Sequence, residues 1–308
     1  MSAASGQITV PERLAETARA MEGERAEAWL ATLPATFAEH LTRWGLTLER
    51  IFEPGGRISL IGYVRHSDDL TPAVLKAGLI TPETAQEHAA LTHWAGRGAV
   101  LLLDSDPAAG VLLLERLYGD IPLRSLAEAK AMLEATSLLQ RLWVPPAAGH
   151  PFTSVADHVA TLSAGLRRRR ALPGAAEALA LVDEALETAE GLLADRSEQL
   201  LLHGDFHHGN VLAADRAPWL AIDPKPLVGE RAYDLAWLAQ DRMDTLAGSP
   251  GPRGAARRRL HQLADAVEVD HDRLRGWTLF RTVEAGLWSL EAGDTDAAEL
   301  YLEFADWL

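Results

Sequence analysis

The segment His203-Gly204-Asp205-Phe206-His207-His208-Gly209-Asn210, followed after an apolar stretch by Ile222-Asp223-Pro224, sets two carboxylates and one carboxamide around a single point. Phosphoryl transfer from ATP needs such a set. One Asp accepts or orients an acceptor hydroxyl, an Asn five residues on grips a metal ion, and a second Asp on a later turn clamps Mg²⁺ across the phosphates. Carboxylate and amide oxygens are the hard ligands that Mg²⁺ prefers, with water and nucleotide oxygens completing its shell. The pattern points to a kinase that acts on a small molecule.

The elements that must position these groups are written beside them. Leu200-Leu201-Leu202 is a short apolar run suited to a buried strand, and Gly204 and Gly209 permit a tight loop directly after it. Asp205 and Asn210 then stand at the two ends of that loop. Val211-Leu212-Ala213-Ala214 and Trp219-Leu220-Ala221-Ile222 are apolar runs separated by the turn-like Asp215-Arg216-Ala217-Pro218, which predicts a hairpin. The return of that hairpin places Asp223 beside Asn210.

HGDFHHGN with IDP after it resembles the aminoglycoside phosphotransferase branch of the protein-kinase-like fold. The run from Val211 through Trp219-Leu220-Ala221-Ile222-Asp223-Pro224-Lys225-Pro226-Leu227-Val228-Gly229 is similar to the streptomycin 6-kinase and hydroxyurea phosphotransferase family. The likeness is densest over residues 200 to 240 and extends more weakly from about Trp44 to the C-terminal helices. It implies an α+β, bilobal protein-kinase-like fold, with a small strand-rich N-lobe over 1–117 and a larger helical C-lobe over 118–308. It also implies ATP and Mg²⁺ as cofactors, and a small acceptor with a hydroxyl, of the streptomycin or hydroxyurea kind, whose phosphorylation would inactivate an antibiotic.

Carried over residue by residue, Asp205 matches the family's catalytic base, and Asn210 and Asp223 match its metal ligands. His203 matches the residue packed under the catalytic loop. Glu230 stands where relatives often carry Asp, and Asp234 is expected to cap or brace the following helix.

A kinase-like fold needs a lysine for the nucleotide phosphates and a glutamate to hold it, and Lys76 and Glu87 occur in that order. Lys76 ends the strand-like Thr71–Lys76 stretch. Thr81 as N-cap and Pro82 at the first helical position predict a helix that carries Glu87. The glycine-bearing stretch Glu53–Gly62 suits a loop over the nucleotide, where Ser59 could donate to a phosphate oxygen. By resemblance the hinge that reads the adenine edge falls at Glu115 and Leu117. For the acceptor, the approach to Asp205 opposite ATP draws attention to Glu230, Trp237, Asp241, Asp244, Glu284, Trp288 and Glu291. Trp277, Arg281, Glu284 and Trp288 lie near helical spacing, the tryptophans reading more readily as core than as a sugar platform.

Composition agrees. A chain of 308 residues with 48% hydrophobic content can bury a substantial core. Without cysteine there are neither disulfides nor thiolate metal sites, which suits a reducing cytoplasm. No apolar run of membrane-spanning length appears, and Met1–Glu12 lacks the signature of a signal peptide. With 29 basic and 44 acidic residues the net charge is −15, which argues against nucleic acid and suits either a polycationic acceptor or plain solubility. The one basic run, Arg167–Arg170, reads as a helix end. Three other readings stand beside the first: a kinase for another small metabolite or sugar, a non-catalytic nucleotide-binding protein, and a metal hydrolase built on His203, His207 and His208.

Overall fold

A computed structural model describes residues 8–53, 56–195 and 198–308. Pro54 and Gly55 of the glycine-bearing stretch, and the first seven residues of Met1–Glu12, lie outside them. The chain divides into two compact units: the first runs to Tyr118 and takes in Ala214–Pro218, and the second holds Gly119–Ala213 and Trp219–Leu308.

The first unit opens with α1 (Glu12–Glu22) and α2 (Glu24–Arg43). Strands β1 (Leu46–Ile51), β2 (Ser59–His66), β3 (Pro72–Gly78), β4 (Leu102–Asp106) and β5 (Val111–Glu115) then form an antiparallel sheet in the order β1-β2-β3-β5-β4. Alternation divides its faces. Leu60 and Val64 of β2, Ala73, Leu75 and Ala77 of β3, and Val111 and Leu113 of β5 share one buried cluster with Leu14, Leu33 and Phe37 of the two leading helices. Gly62 belongs to this face, where a Cβ would meet the Phe37 ring, so the glycine lets α2 press on the sheet. Lys76 alternates to the opposite face. There it meets α3 (Glu87–Trp94), the inserted helix.

That helix starts later than its sequence signals predict. Thr81 and Thr84 do exchange cap-like bonds, Thr84 Oγ1 accepting from the Thr81 N–H at 2.9 Å, but they close only a single turn. Glu87 is consequently the first residue of α3 rather than a mid-helix position.

Strand β6 (Tyr118–Pro122) runs out of the first unit into the second, which continues with α4 (Glu128–Leu142), β7 (Thr153–Ser154), α5 (Val155–Arg169) and α6 (Leu179–Ala194). Strands β8 (Leu200–Leu202), β9 (Val211–Ala213), β10 (Trp219–Ala221) and β11 (Leu227–Gly229) follow, then α7 (Arg231–Gln240), α8 (Met243–Ala247), α9 (Pro252–Val267), α10 (His271–Glu291) and α11 (Thr295–Trp307). Two small sheets, β10-β9-β6 and β7-β11-β8, flank the loops that carry Asp205, Asn210 and Asp223. Buried residues all round α10, among them Leu274, Trp277, Phe280, Val283 and Leu287, mark it as the central helix of this unit.

The helical stretch from Arg231 to Ala247 is broken in two. Asp241 is extended and Arg242 left-handed (φ 57°), separating α7 from α8. Asp241 accepts the His208 N–H at 2.8 Å and the Arg242 N–H at 2.9 Å, bonds that a continuous helix would forfeit. The Arg167–Arg170 run closes α5, where Arg169 pairs with Glu291 at 2.7 Å and Glu284 at 3.3 Å. Among the described residues no helix is long and apolar enough to cross a membrane.

Candidate active site

The loop between β8 and β9 is held from two sides. On one side Asp234, fully buried in the first turn of α7, receives the His203 N–H at 2.9 Å on Oδ2 and the Gly204 N–H at 2.8 Å on Oδ1. The same Oδ2 takes the Trp143 indole N–H at 2.9 Å. A carboxylate is acceptor-only, and here both oxygens are used by donors that have no water to turn to. Asp234 thus braces the loop between β8 and β9, not its own helix. The sequence hint was an acidic residue between Tyr233 and Leu235 on an otherwise apolar helix.

On the other side lies the segment after β10. The Lys225 N–H donates to the His203 carbonyl at 2.9 Å, and the His203 Nε2–H donates to the Ile222 carbonyl at 3.0 Å. His203 Nδ1 accepts the Asp205 N–H at 3.3 Å, which fixes the tautomer. Burial pushes the His203 imidazole below its ordinary pKa, as expected for a neutral ring whose two nitrogens are already bonded. Gly204 has φ 75°, and a Cβ there would overlap the Lys225 carbonyl oxygen, so only glycine lets these two strands of chain touch.

Asp205, Asn210 and Asp223 are all attached to this frame. The Asn210 Nδ2 donates to the Asp205 carbonyl at 3.0 Å, which orients the carboxamide. The β9–β10 hairpin pairs Val211 with Ala221, and the Ile222 N–H donates to the Asn210 carbonyl at 2.9 Å. Asp223 therefore follows directly beside Asn210. Its backbone is left-handed (φ 55°), an unfavourable state for a residue with a side chain and one often found at functional positions. The two candidate ligands, the Asn210 amide oxygen and the Asp223 carboxylate, are of the hard kind that fits Mg²⁺.

The imidazoles do not gather. His203 serves Ile222 and Asp205, His207 Nδ1 accepts the Gly209 N–H at 3.1 Å, and His208 Nδ1 bonds Asp241 Oδ2 at 2.6 Å. Among the described residues no group of three or more His, Cys, Asp or Glu could hold a metal, which counts against the hydrolase reading. Burial opposes ionisation of Asp241, yet the bonds from the His208 side chain and backbone hold its carboxyl well below the usual carboxylate range. The far end of the loop is pinned by this pair.

In the first unit, the Lys76 Nζ donates to both Glu87 oxygens, at 2.6 and 2.7 Å, in a buried pair. Ser59, Lys76 and Glu87 line one small cavity of about 30 Å³ with Gly78, His88 and Leu112. Leu117 is buried. The Glu115 N–H is taken by the Leu101 carbonyl at 3.0 Å. The Glu115 side chain accepts the Leu101 N–H at 2.7 Å and pairs with Arg216 at 2.6 Å. Arg216, not singled out in the sequence, also donates to the carbonyls of Gly96 at 2.7 Å and Ala99 at 3.0 Å.

The acceptor candidates have diverse surroundings. Glu230 binds Arg273 through both oxygens at 2.5 Å and accepts the Trp277 indole N–H at 2.7 Å, and Trp277 is core. Glu284 pairs with Arg169 at 3.3 Å and Arg281 at 3.8 Å. The Arg281 guanidinium lies 4.2 Å from the centre of the Trp237 ring, whose buried Nε1–H has no acceptor among the described residues. Trp288 is 40% exposed.

A thermostable mutant of aminoglycoside phosphotransferase APH(4)-Ia, solved in a ternary complex with ADP and hygromycin B, superposes with a TM-score of 0.61 at 15% identity, over 88% of this chain and 96% of that one. The fold is therefore that of the protein-kinase-like phosphotransferases. At the level of sequence, streptomycin 6-kinase of Streptomyces glaucescens is 38% identical over 93% of this chain and 92% of its own length. Hydroxyurea phosphotransferase of Kitasatospora aureofaciens is 36% identical over 97% and 85%. Residues 43–293 match the signature of the aminoglycoside/hydroxyurea antibiotic resistance kinases, and the chain belongs to that family.

Proposed function

We propose that this protein transfers the γ-phosphate of ATP to a hydroxyl of a small acceptor, of the streptomycin or hydroxyurea kind, and so inactivates an antibiotic. The observation that carries this reading is the joint anchoring of Asp205, Asn210 and Asp223 by one loop and one hairpin, in a member of this family. Asp205 orients the acceptor hydroxyl and takes its proton. Asn210 and Asp223 would hold Mg²⁺, which when bound with the nucleotide neutralises charge across the phosphates. Lys76, steadied by Glu87, positions the α- and β-phosphates, and Ser59 donates to a phosphate oxygen. The backbone at Glu115 and Leu117 receives the adenine. On the acceptor side Trp237 and Trp288 are the aromatic candidates. The rate gain comes mainly from positioning and charge stabilisation. The reaction belongs in the cytoplasm, where ATP is plentiful, with neither nucleic acid nor membrane as partner.

A second reading concerns the acceptor. Glu230, Asp241 and Glu284 are each committed to a cationic or histidine partner inside the protein. Carboxylates so engaged are poor receptors for a polycation, which favours a neutral acceptor such as hydroxyurea or a sugar. Incubation with Mg-ATP and, in parallel, streptomycin, hydroxyurea and a panel of polyols, followed by mass spectrometry, tests both readings. One acceptor should gain one phosphate, and Asp205→Ala should lower that turnover by about two to four orders of magnitude with ATP binding retained. Near-normal turnover in the variant removes Asp205 from the mechanism.

A further inference from the structure

Lys225 lies two residues beyond Asp223, and its Nζ stands 3.4 Å from Asp205 Oδ2. Its main chain is fixed to the catalytic loop at two points: the N–H donates to the His203 carbonyl at 2.9 Å, and the carbonyl oxygen packs on Gly204 where no Cβ fits. Only the four-carbon stem is left to move. Of 29 basic residues just three are lysines, and one of the other two is the phosphate-site candidate Lys76. A compact ammonium on a flexible stem can follow a moving charge in a way that a planar guanidinium cannot.

A pair this open, with the lysine side chain 36% exposed, adds little stability. Its value lies in where the cation is kept. As an acceptor hydroxyl gives its proton to Asp205, that carboxylate loses its charge and its hold on the ammonium weakens, while negative charge spreads over the phosphoryl oxygens being transferred.

We propose that Lys225 is a catalytic residue whose ammonium bridges Asp205 and an oxygen of the γ-phosphoryl group when ATP is bound, and shifts onto that oxygen as Asp205 takes the acceptor proton. This assignment rests on the phosphotransfer reading above. The acceptor oxygen bonds to the γ-phosphorus, the bond from that phosphorus to the β–γ bridging oxygen breaks, and ADP leaves with the electron pair. The acceptor proton goes to Asp205. Lys225 keeps all its protons and changes only its hydrogen-bond partner.

The test compares the affinity of the full chain for AMP-PNP and for ADP, each with Mg²⁺, in wild type, Lys225→Met and Lys225→Arg, with thermal melts to show that each is folded. Lys225→Met should weaken AMP-PNP about tenfold and leave ADP unchanged, as loss of a charge-assisted bond to the terminal phosphate requires. Lys225→Arg should restore part of the preference. Turnover of Lys225→Met should fall by about a hundredfold. An unaltered AMP-PNP to ADP affinity ratio in Lys225→Met overturns the assignment. Failure of the wild type to phosphorylate any acceptor, with the ratio still altered, would sink the phosphotransfer reading while the lysine–phosphate contact stands.

Discussion

Replacing Asp234 tests the account of how the catalytic loop is held. Its carboxylate satisfies three donors, the backbone N–H groups of His203 and Gly204 and the Trp143 indole, at 2.8 to 2.9 Å in a fully buried setting. Asp234→Ala strands all three. A buried donor without a partner costs about 1–3 kcal/mol, so the variant should lose about 3–6 kcal/mol after partial relaxation. That is a large part of the roughly 5–15 kcal/mol that holds a typical domain together. Asp234→Asn can keep its carbonyl oxygen towards His203 and Trp143, turning its amide to the Gly204 N–H, and should lose about 1.5–3 kcal/mol. Denaturant unfolding followed by circular dichroism and tryptophan fluorescence measures both, with phosphotransfer assayed in parallel. An Ala variant within about 1 kcal/mol of wild type, or an Asn variant less stable than the Ala one, would refute the reasoning.

Gly204→Ala forces a side chain into a left-handed backbone and against the Lys225 carbonyl, so the loop must shift. Turnover should fall at least tenfold, and crystals of the variant should show residues 203–205 displaced; an unmoved loop would contradict the close-approach argument. Acid sensitivity follows from His203. Its folded pKa is pushed below the ordinary 6.5, so the unfolded chain binds a proton that the folded one refuses, and stability falls as pH drops below about 6.5. The slope from this one group is at most about 1.4 kcal/mol per pH unit. In His203→Gln the dependence between about pH 6.5 and 5 should flatten, as read from unfolding midpoints; parallel curves would assign the acid sensitivity elsewhere.

Local order along the chain was enough to predict the hairpin and the loop before it. Asp205, Asn210 and Asp223 are brought together by a loop and a hairpin whose turn residues and apolar runs are contiguous, so their neighbourhood was legible before any packing was known. The same holds for β3 followed by a helix with Glu87, although the start of that helix was not. Tertiary structure decided what the isolated carboxylates do. Asp234 reaches His203 across 31 residues, Asp241 reaches His208 across 33, Glu230 finds Arg273 across 43, and Glu284 finds Arg169 across 115. Nothing local distinguishes a helical Asp or Glu that faces a substrate from one that braces a loop. A buried carboxylate must take whatever donors the packing delivers, and those donors come from distant parts of the chain. The break between α7 and α8 has the same origin: residues with adequate helix propensity gave up helical bonds because Asp241 gained better ones from His208.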